Sequence, residues 1–110
     1  MSVRLSELPE RVKKVLELTP KAIRAKFADA RIYLFGSYAK DTWLIDSDID
    51  IIVVSNAFRL LSFPERMNKI RKLLPADAAY EILAYTPAEF DKAVSHSVVV
   101  SDAAEYWVEL

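Results

Sequence analysis

The sequence predicts a single α/β or α+β domain in which a small mixed β-sheet is flanked by helices. The chain has 110 residues, about the length of one domain, and hydrophobic residues make up 53% of it, as in packed globular proteins. Helix-type and strand-type patterns follow one another along the chain. No repeat, low-complexity tract or linker interrupts them, so we expect one domain over residues 1–110.

The first pattern predicts a helix over Ser6–Ala28. Ser6 is a suitable cap, Pro9 suits the first helical turn, and apolar residues recur at helical spacing. Pro20 lacks the amide hydrogen that a helix interior needs, so it is expected to divide this segment into two helices, with Thr19 as the second cap.

Two strands are predicted next. Arg31–Gly36 is short and rich in aromatic and branched residues. Asp48–Ser55 carries Ile and Val on both faces after Asp50, as in a central strand that is covered on both sides. The intervening Ser37–Ser47 has no long apolar periodicity and predicts a turn begun by glycine, one short helical turn and a loop.

Phe63–Leu74 predicts a further helix, ended by Pro75, whose basic residues form a solvated face. These basic residues are Arg66, Lys69, Arg71 and Lys72. Tyr80–Tyr85 predicts a third strand.

The sequence Thr86-Pro87-Ala88-Glu89 is a capping box, and it predicts a helix that runs to about Val94. The tail from Ser95 leaves two interpretations open. Its VVV run favours a strand, whereas DAAEYWVEL suits either a helix or a final edge strand.

Composition excludes several kinds of protein. The net charge of −1, from 15 basic and 16 acidic residues, gives no overall positive field, so direct nucleic acid binding is not expected. The absence of cysteine excludes disulfides and thiolate metal sites. No apolar run approaches the roughly 20 residues that cross a membrane, and no signal peptide core is visible, so we expect a cytoplasmic protein.

Acidic residues stand at the beginnings of two predicted strands. Because strand side chains alternate between faces, Asp48 and Asp50 are expected on one face, and Glu81 lies one residue into the next strand. Neighbouring carboxylates repel each other unless a cation neutralises them, and oxygen ligands suit Mg²⁺. The three carboxylates therefore predict a site for two Mg²⁺ ions, about 3.5 to 4 Å apart, that supports phosphoryl transfer. The competing interpretations are a local turn for the aspartates and a solvated edge position for Glu81.

The other half of the predicted site is Gly36-Ser37. Gly36, the only glycine of the chain, follows a strand and lets backbone N–H groups approach a phosphate, while Ser37 adds a hydroxyl donor. Lys40 can reach a phosphate from the same loop, or can be an ordinary exposed lysine. Tyr38 can stack on a base.

Three other side chains are assigned no part in this site. His96 is expected at the surface. Trp43 and Trp107 suit an interface or the core.

The spacing of these motifs resembles a known family. Phe35-Gly36-Ser37, followed after ten residues by Asp48-Ile49-Asp50-Ile51, is similar to the signature of the DNA polymerase beta nucleotidyltransferase superfamily. The short chain and the sequence YEILAYTPAEF most resemble its minimal nucleotidyltransferases, the MNT group. The resemblance covers roughly residues 31–92.

This resemblance implies a function and roles for residues. It implies Mg²⁺-dependent transfer of AMP from ATP to a hydroxyl, with Gly36 and Ser37 at the β and γ phosphates. Lys40 is a candidate nucleotide-binding residue from its place in the loop, not from the resemblance. Asp48 and Asp50 would hold the metal ions, and Glu81 would assist the metal ion nearer the attacking hydroxyl. The sequence departs from the family pattern at Asp41, where glycine is common, and at Glu81, where aspartate is common.

The resemblance also implies a partner. Many MNT proteins are antitoxins paired with a HEPN-domain toxin, and some modify a tyrosine of that toxin with AMP. We therefore expect a hetero-oligomer whose protein partner is also the substrate. The alternative is a non-catalytic antitoxin that neutralises its toxin by binding, and the two departures favour that alternative.

Overall fold

Residues 3–110, which the computed structural model describes, form five α-helices and four strands. In chain order they are α1 (Glu10–Lys26), β1 (Arg31–Phe35), α2 (Gly36–Lys40), β2 (Ile49–Val54), α3 (Phe63–Arg71), β3 (Tyr80–Tyr85), α4 (Pro87–His96), α5 (Val98–Ala103) and β4 (Val108–Glu109). Short 3₁₀ helices at Leu5–Glu7 and Asn56–Leu60 precede α1 and α3.

The strands form one mixed sheet in the order β3-β2-β1-β4, which confirms the predicted fold class. β1 pairs antiparallel with β2 and with β4, and β2 pairs parallel with β3. β2 is central, as its apolar sequence predicts, and only Asp50 among its six residues is not fully buried. The sheet therefore carries Asp50 on a strand with neighbours on both sides.

Each face of the sheet has its own apolar core. One face packs against α1 and α3 through residues that include Val12, Ile23, Ile32, Ile51 and Ile70. The other face packs against α4 and α5 through residues that include Tyr33, Ile52, Val54, Phe90 and Val100. Since strand residues alternate between faces, Asp50 shares the second face with Ile52 and Val54.

The predicted break in the first helix is wrong. α1 runs unbroken from Glu10 to Lys26 with Pro20 inside it, and Pro9 rather than Ser6 precedes its first residue. The Thr19 hydroxyl does not cap a helix but donates to the Val15 carbonyl at 2.7 Å. Val15, Thr19 and Ile23 are all buried, so packing on both sides of Pro20 outweighs the single backbone hydrogen bond that proline removes.

α3 is shorter than predicted and its basic face is not uniformly solvated. Ser62 caps the helix in a capping box with Glu65, and the helix ends at Arg71, before Pro75. Arg66 is 4% exposed, because its guanidinium donates to Glu89 and to two backbone carbonyls. The expectation of a solvated face is therefore wrong for Arg66, while Lys69, Arg71 and Lys72 are exposed.

The structure resolves the ambiguous tail. The VVV run begins α5 rather than a strand, because Ser97 caps the helix and only Val100 of the three valines is buried. The chain then reaches β1 as the edge strand β4. The capping box at Thr86 is confirmed. Within residues 3–110, no helix has both the length and the apolar character needed to cross a membrane.

Candidate active site

Two of the predicted carboxylates are neighbours across the parallel strands. Asp50 of β2 is in register with Glu81 of β3, at the end of the sheet where both strands begin. Ile52 and Val54, further along β2, are covered by α4 and α5, whereas Asp50 is partly exposed and Glu81 is exposed. The sheet therefore presents an open pair of carboxylates beyond its covered region.

Gly36 packs directly against this pair. Phe35, the residue before it, is in register with Asp50 on the opposite side of β2. Gly36 has a φ of 72°, and a Cβ built on it would lie 2.7 Å from Cγ of Asp50. Any side chain would therefore displace the Asp50 carboxylate, and the left-handed backbone also favours glycine. This double requirement explains why the only glycine of the chain stands here.

The surroundings of the Asp50 carboxyl disfavour its charged form. Burial, followed by the hydrogen bond and the negative charge of Glu81, raises the pKa of Asp50 to about 7, and the charge of Asp48 adds to the effect. A bound cation would favour the charged form of both carboxylates and relieve their repulsion. The donor set is all oxygen, which suits Mg²⁺.

The predicted three-ligand metal centre is only partly assembled. Asp48 precedes β2 and is exposed. Among residues 3–110, no three Asp, Glu, His or Cys side chains are grouped closely enough to hold a metal ion. Asp50 and Glu81 fit one side of a cation site, and the metal roles of Asp48, Asp50 and Glu81 stay predictions.

The loop after Gly36 is ordered by its own backbone. α2 ends at Lys40. The N–H of the next residue, Asp41, donates to the Ser37 carbonyl, and the Thr42 N–H donates to the same carbonyl at 2.9 Å. Asp41 has a φ of 62°, a left-handed conformation that glycine adopts most easily and aspartate tolerates. The departure from glycine at this position therefore keeps the backbone turn that glycine would provide.

Lys40 and Tyr38 follow Gly36 in α2, and their surroundings differ: the nucleotide-binding role of Lys40 stays a prediction, whereas Tyr38 is buried. The Lys40 ammonium is 3.5 Å from the Asp102 carboxylate and 4.7 Å from the centre of the Tyr106 ring. Tyr38 is 1% exposed and stacks on Trp43, so it is a core residue and the prediction that it stacks on a base is wrong. Its hydroxyl is buried without a hydrogen-bond partner among residues 3–110.

Sequence reasoning missed Tyr106. Its hydroxyl accepts a hydrogen bond of 3.2 Å from the Gly36 N–H, one of the groups expected to bind phosphate. The two residues are 70 positions apart in the chain, and no local pattern connects them. The tail prediction considered only secondary structure, so it could not place this tyrosine at the glycine turn.

The other aromatic and histidine predictions have clear outcomes. Trp107 belongs to the core, because its ring lies 4.6 Å from Tyr33 and 5.6 Å from Phe90. His96 is exposed, as predicted, and its Nδ1 lies 3.0 Å from the Lys92 carbonyl.

Paired carboxylates against a glycine turn suit the class of enzymes that transfer phosphoryl or nucleotidyl groups, because carboxylates can hold the metal ions that stabilise the attacking and leaving oxygens. The family model for the nucleotidyltransferase domain matches residues 16–106. The chain therefore belongs to the nucleotidyltransferase domain family. Proteins of this family generally use a nucleoside triphosphate and a divalent metal ion.

Solved structures agree with this family. A crystal structure titled as a candidate nucleotidyltransferase is 28% identical, with 93% of this chain and 99% of that chain covered and a TM-score of 0.55. A second candidate nucleotidyltransferase, from Sulfolobus solfataricus, shares the fold at 23% identity, with 72% and 73% covered and a TM-score of 0.56. No curated protein sequence matches the chain significantly.

Proposed function

We propose that this protein is a Mg²⁺-dependent nucleotidyltransferase that transfers AMP from ATP to a tyrosine hydroxyl of a HEPN-type toxin, and thereby acts as its antitoxin. The observation that carries the transferase part is the Asp50–Glu81 pair placed against Gly36. The acceptor and the partner rest on the resemblance to MNT antitoxins.

In the proposed reaction the acceptor oxygen attacks the α phosphorus, the bond to the β phosphate oxygen breaks, and pyrophosphate leaves. The hydroxyl proton goes to a carboxylate, and Glu81 is the exposed member of the pair that can accept it. Mg²⁺, when bound by Asp50 and Glu81 with Asp48, supplies the positive charge that the carboxylates and phosphates lack. Gly36 keeps Asp50 in place, since a side chain there would displace the carboxylate.

A protein acceptor is favoured over a small molecule because the site is open. Asp50 is partly exposed, Glu81 is exposed, and both lie beyond the part of the sheet that α4 and α5 cover. Leu44 and Ile45, in the loop that leads to Asp48, are 70% and 86% exposed. An open site beside exposed apolar side chains suits an acceptor that is brought by a bound protein.

The test is transfer of label from α-labelled ATP to the partner toxin in the presence of Mg²⁺. We expect the wild type to label the toxin and Asp50→Asn to lose at least about 100-fold in rate. The matched control is Asp46→Asn, which removes an exposed carboxylate of the same loop and should leave the rate unchanged. Failure of the wild type to label any partner contradicts the proposal.

The second candidate is a non-catalytic antitoxin that neutralises its toxin by binding. The observation that favours it is the lack of a closed three-ligand metal site among residues 3–110. The two candidates differ in the double variant Asp48→Asn and Asp50→Asn. When it is expressed with the toxin, a binding antitoxin still suppresses toxicity, whereas a catalytic antitoxin loses most of that suppression.

A further inference from the structure

The Tyr106 hydroxyl lies on the glycine turn of the nucleotidyltransferase site. It accepts the Gly36 N–H at 3.2 Å, while the Lys40 ammonium lies 4.7 Å from the centre of its ring. A phenol that accepts one hydrogen bond still has its own proton to donate. A phosphate that approaches this turn therefore meets a hydroxyl donor and an ammonium, and the Gly36 N–H is already in use.

Tyr106 is held in this position from several sides. The N–H groups of Tyr106 and Trp107 both donate to the Ala103 carbonyl, at 3.0 and 2.7 Å. The Tyr106 ring packs against both apolar cores of the sheet. Trp107 stacks in the core, and Val108 then pairs with β1. Withdrawal of the tyrosine from Gly36 would remove packing from both faces, so the contact is part of the fold.

The position of Tyr106 indicates whether it contacts the nucleotide or the acceptor hydroxyl. The family resemblance implies that Gly36 and Ser37 meet the β and γ phosphates, whereas Glu81 is the group proposed to take the acceptor proton. The Tyr106 hydroxyl is hydrogen-bonded to Gly36 itself, so in the proposed reaction it would lie on the side of the leaving pyrophosphate. From there it can donate to a phosphate oxygen.

Lys40 strengthens the attraction for phosphate at this place. Its ion pair with Asp102 is 3.5 Å long and both side chains are about half exposed, so the pair is weak. A polyphosphate carries more charge than one carboxylate and can replace Asp102 as the partner of Lys40.

We infer that Tyr106 is a nucleotide-binding residue, whose hydroxyl replaces the Gly36 N–H as the donor to the terminal phosphates of the nucleoside triphosphate, with Lys40 beside it. This inference rests on the proposed use of a nucleoside triphosphate at the Gly36 turn.

The single glycine of the chain provides a direct test. Protein labelled with ¹⁵N only in glycine gives one backbone amide signal, that of Gly36. In the free protein, Tyr106→Phe keeps the ring but removes the acceptor, so the Gly36 proton signal should move upfield and its amide should exchange faster. Each protein is then titrated with ATP in the presence of Mg²⁺. The Gly36 amide signal and calorimetry both give the dissociation constant for ATP.

For Tyr106→Phe we expect ATP binding to weaken about tenfold or more, as for loss of a hydrogen bond to a charged group. Binding of AMP, which lacks the terminal phosphates, should stay within about twofold of the wild type. The matched control is Tyr85→Phe, which removes a hydroxyl at the other end of β3 and should change neither constant.

Three other results would overturn the inference, and a fourth would affect only the proposed acceptor. Unchanged ATP binding by Tyr106→Phe means that the hydroxyl only supports the turn, and tighter binding means that it obstructs the phosphate. If the wild type binds no ATP, the nucleotide step of the proposed function fails together with this inference. If the wild type binds ATP but labels no toxin, only the acceptor part of the proposed function fails. The difference in ATP binding between the wild type and Tyr106→Phe then still tests the role of Tyr106.

Discussion

At the scale of single residues, the site is defined by the close packing of two carboxylates and the only glycine of the chain. Asp50 is partly buried, adjoins Glu81 and lies against Gly36, where burial and the neighbouring acid raise its pKa to about 7. Such an arrangement lowers the stability of the free protein and prepares a position for a cation. Two predictions belong to this scale.

The first prediction concerns stability and pH. The pKa of the Asp50 carboxyl is raised on folding. Its contribution to stability is therefore fully present below its unfolded pKa, near 3.8, and is lost as the pH rises through its folded pKa of about 7. In the presence of a chelator, the wild type should therefore lose stability relative to Asp50→Asn as the pH rises from 4 to 8. Asp50→Asn carries no carboxylate charge at this position, so at pH 8 it should be more stable than the wild type by about 1–2 kcal/mol. This value is lower than the full pKa difference gives, because solvent reaches Asp50 and weakens the effect.

Urea unfolding at several pH values checks this prediction. Asp46→Asn, which changes an exposed loop carboxylate, should follow the wild type. Parallel curves for the wild type and Asp50→Asn would contradict the raised pKa.

The second prediction concerns Asp41, the left-handed residue after α2. Glycine adopts a φ of 62° without steric strain, so Asp41→Gly should raise the free energy of unfolding by ~0.5–1 kcal/mol. Thermal unfolding measures the difference. Asp46→Gly, in the same loop but not in a left-handed conformation, should give no gain, and a loss in Asp41→Gly would show that its carboxylate matters to the turn.

At the scale of elements, β3 is held between two helices by one arginine. Arg66 of α3 donates to Glu89 of α4 at 2.6 Å and to the Ala84 carbonyl of β3 at 3.1 Å. Glu89 also accepts a hydrogen bond from the Thr86 N–H in the capping box. The same carboxylate therefore caps the beginning of α4 and forms the ion pair with Arg66. The hydrogen bond to Arg66 is the main reason that the pKa of Glu89 is lowered.

The third prediction follows from this arrangement. Arg66→Met keeps most of the aliphatic stem, but it leaves the buried Ala84 carbonyl without the guanidinium donor and Glu89 without its cationic partner. It should cost about 2–4 kcal/mol of unfolding free energy. Urea unfolding followed by circular dichroism gives the value. Lys69→Met, an exposed change on the same helix, should cost little, and an equal cost for both variants would contradict a special role of Arg66.

The sequence predicted the elements where local pattern and packing agree. β1, β2 and β3 appear within one residue of their predicted ends, because their branched and aromatic residues also fill the two cores. The prediction failed at Pro20, where apolar positions on both sides bind α1 to the sheet. It failed again at Val98–Val100, where a serine cap outweighs the strand preference of valine.

The same distinction applies to the site. The proximity of Asp50 and Glu81 follows from strand alternation and from two strands that begin at one end of the sheet. The contacts of Tyr106 with Gly36, and of Lys40 with Asp102, depend on where the tail crosses the sheet. Local sequence patterns do not record that crossing, so these contacts could not be predicted.

At the scale of the whole molecule, residues 97–110 connect the second core to the site. Trp107 packs between Tyr33 and Phe90 in the core, and the residue before it contacts Gly36. The stability of the core and the shape of the phosphate turn are therefore coupled through adjacent residues.

The fourth prediction tests this coupling. Trp107→Ala removes a large aromatic side chain that is only partly buried, so it should cost about 2–3 kcal/mol of unfolding free energy. It should also release Tyr106, so the single glycine amide signal should move as it does in Tyr106→Phe. Val98→Ala, at a position 85% exposed, should change neither measurement. Destabilisation without any shift of the glycine signal would show that the two regions are independent.

The arginines of α3 also affect how this protein behaves at high concentration. β3 is an outer strand of the sheet, and such strands recruit strands of other chains through free backbone groups. Here the Arg66 guanidinium donates a hydrogen bond to the Ala84 carbonyl of β3, and Nη2 of Arg71 lies 3.5 Å from the Tyr80 carbonyl oxygen. Bulky cationic side chains thus stand where an incoming strand would need to form hydrogen bonds, which disfavours polymerisation and amyloid growth from this edge of the sheet.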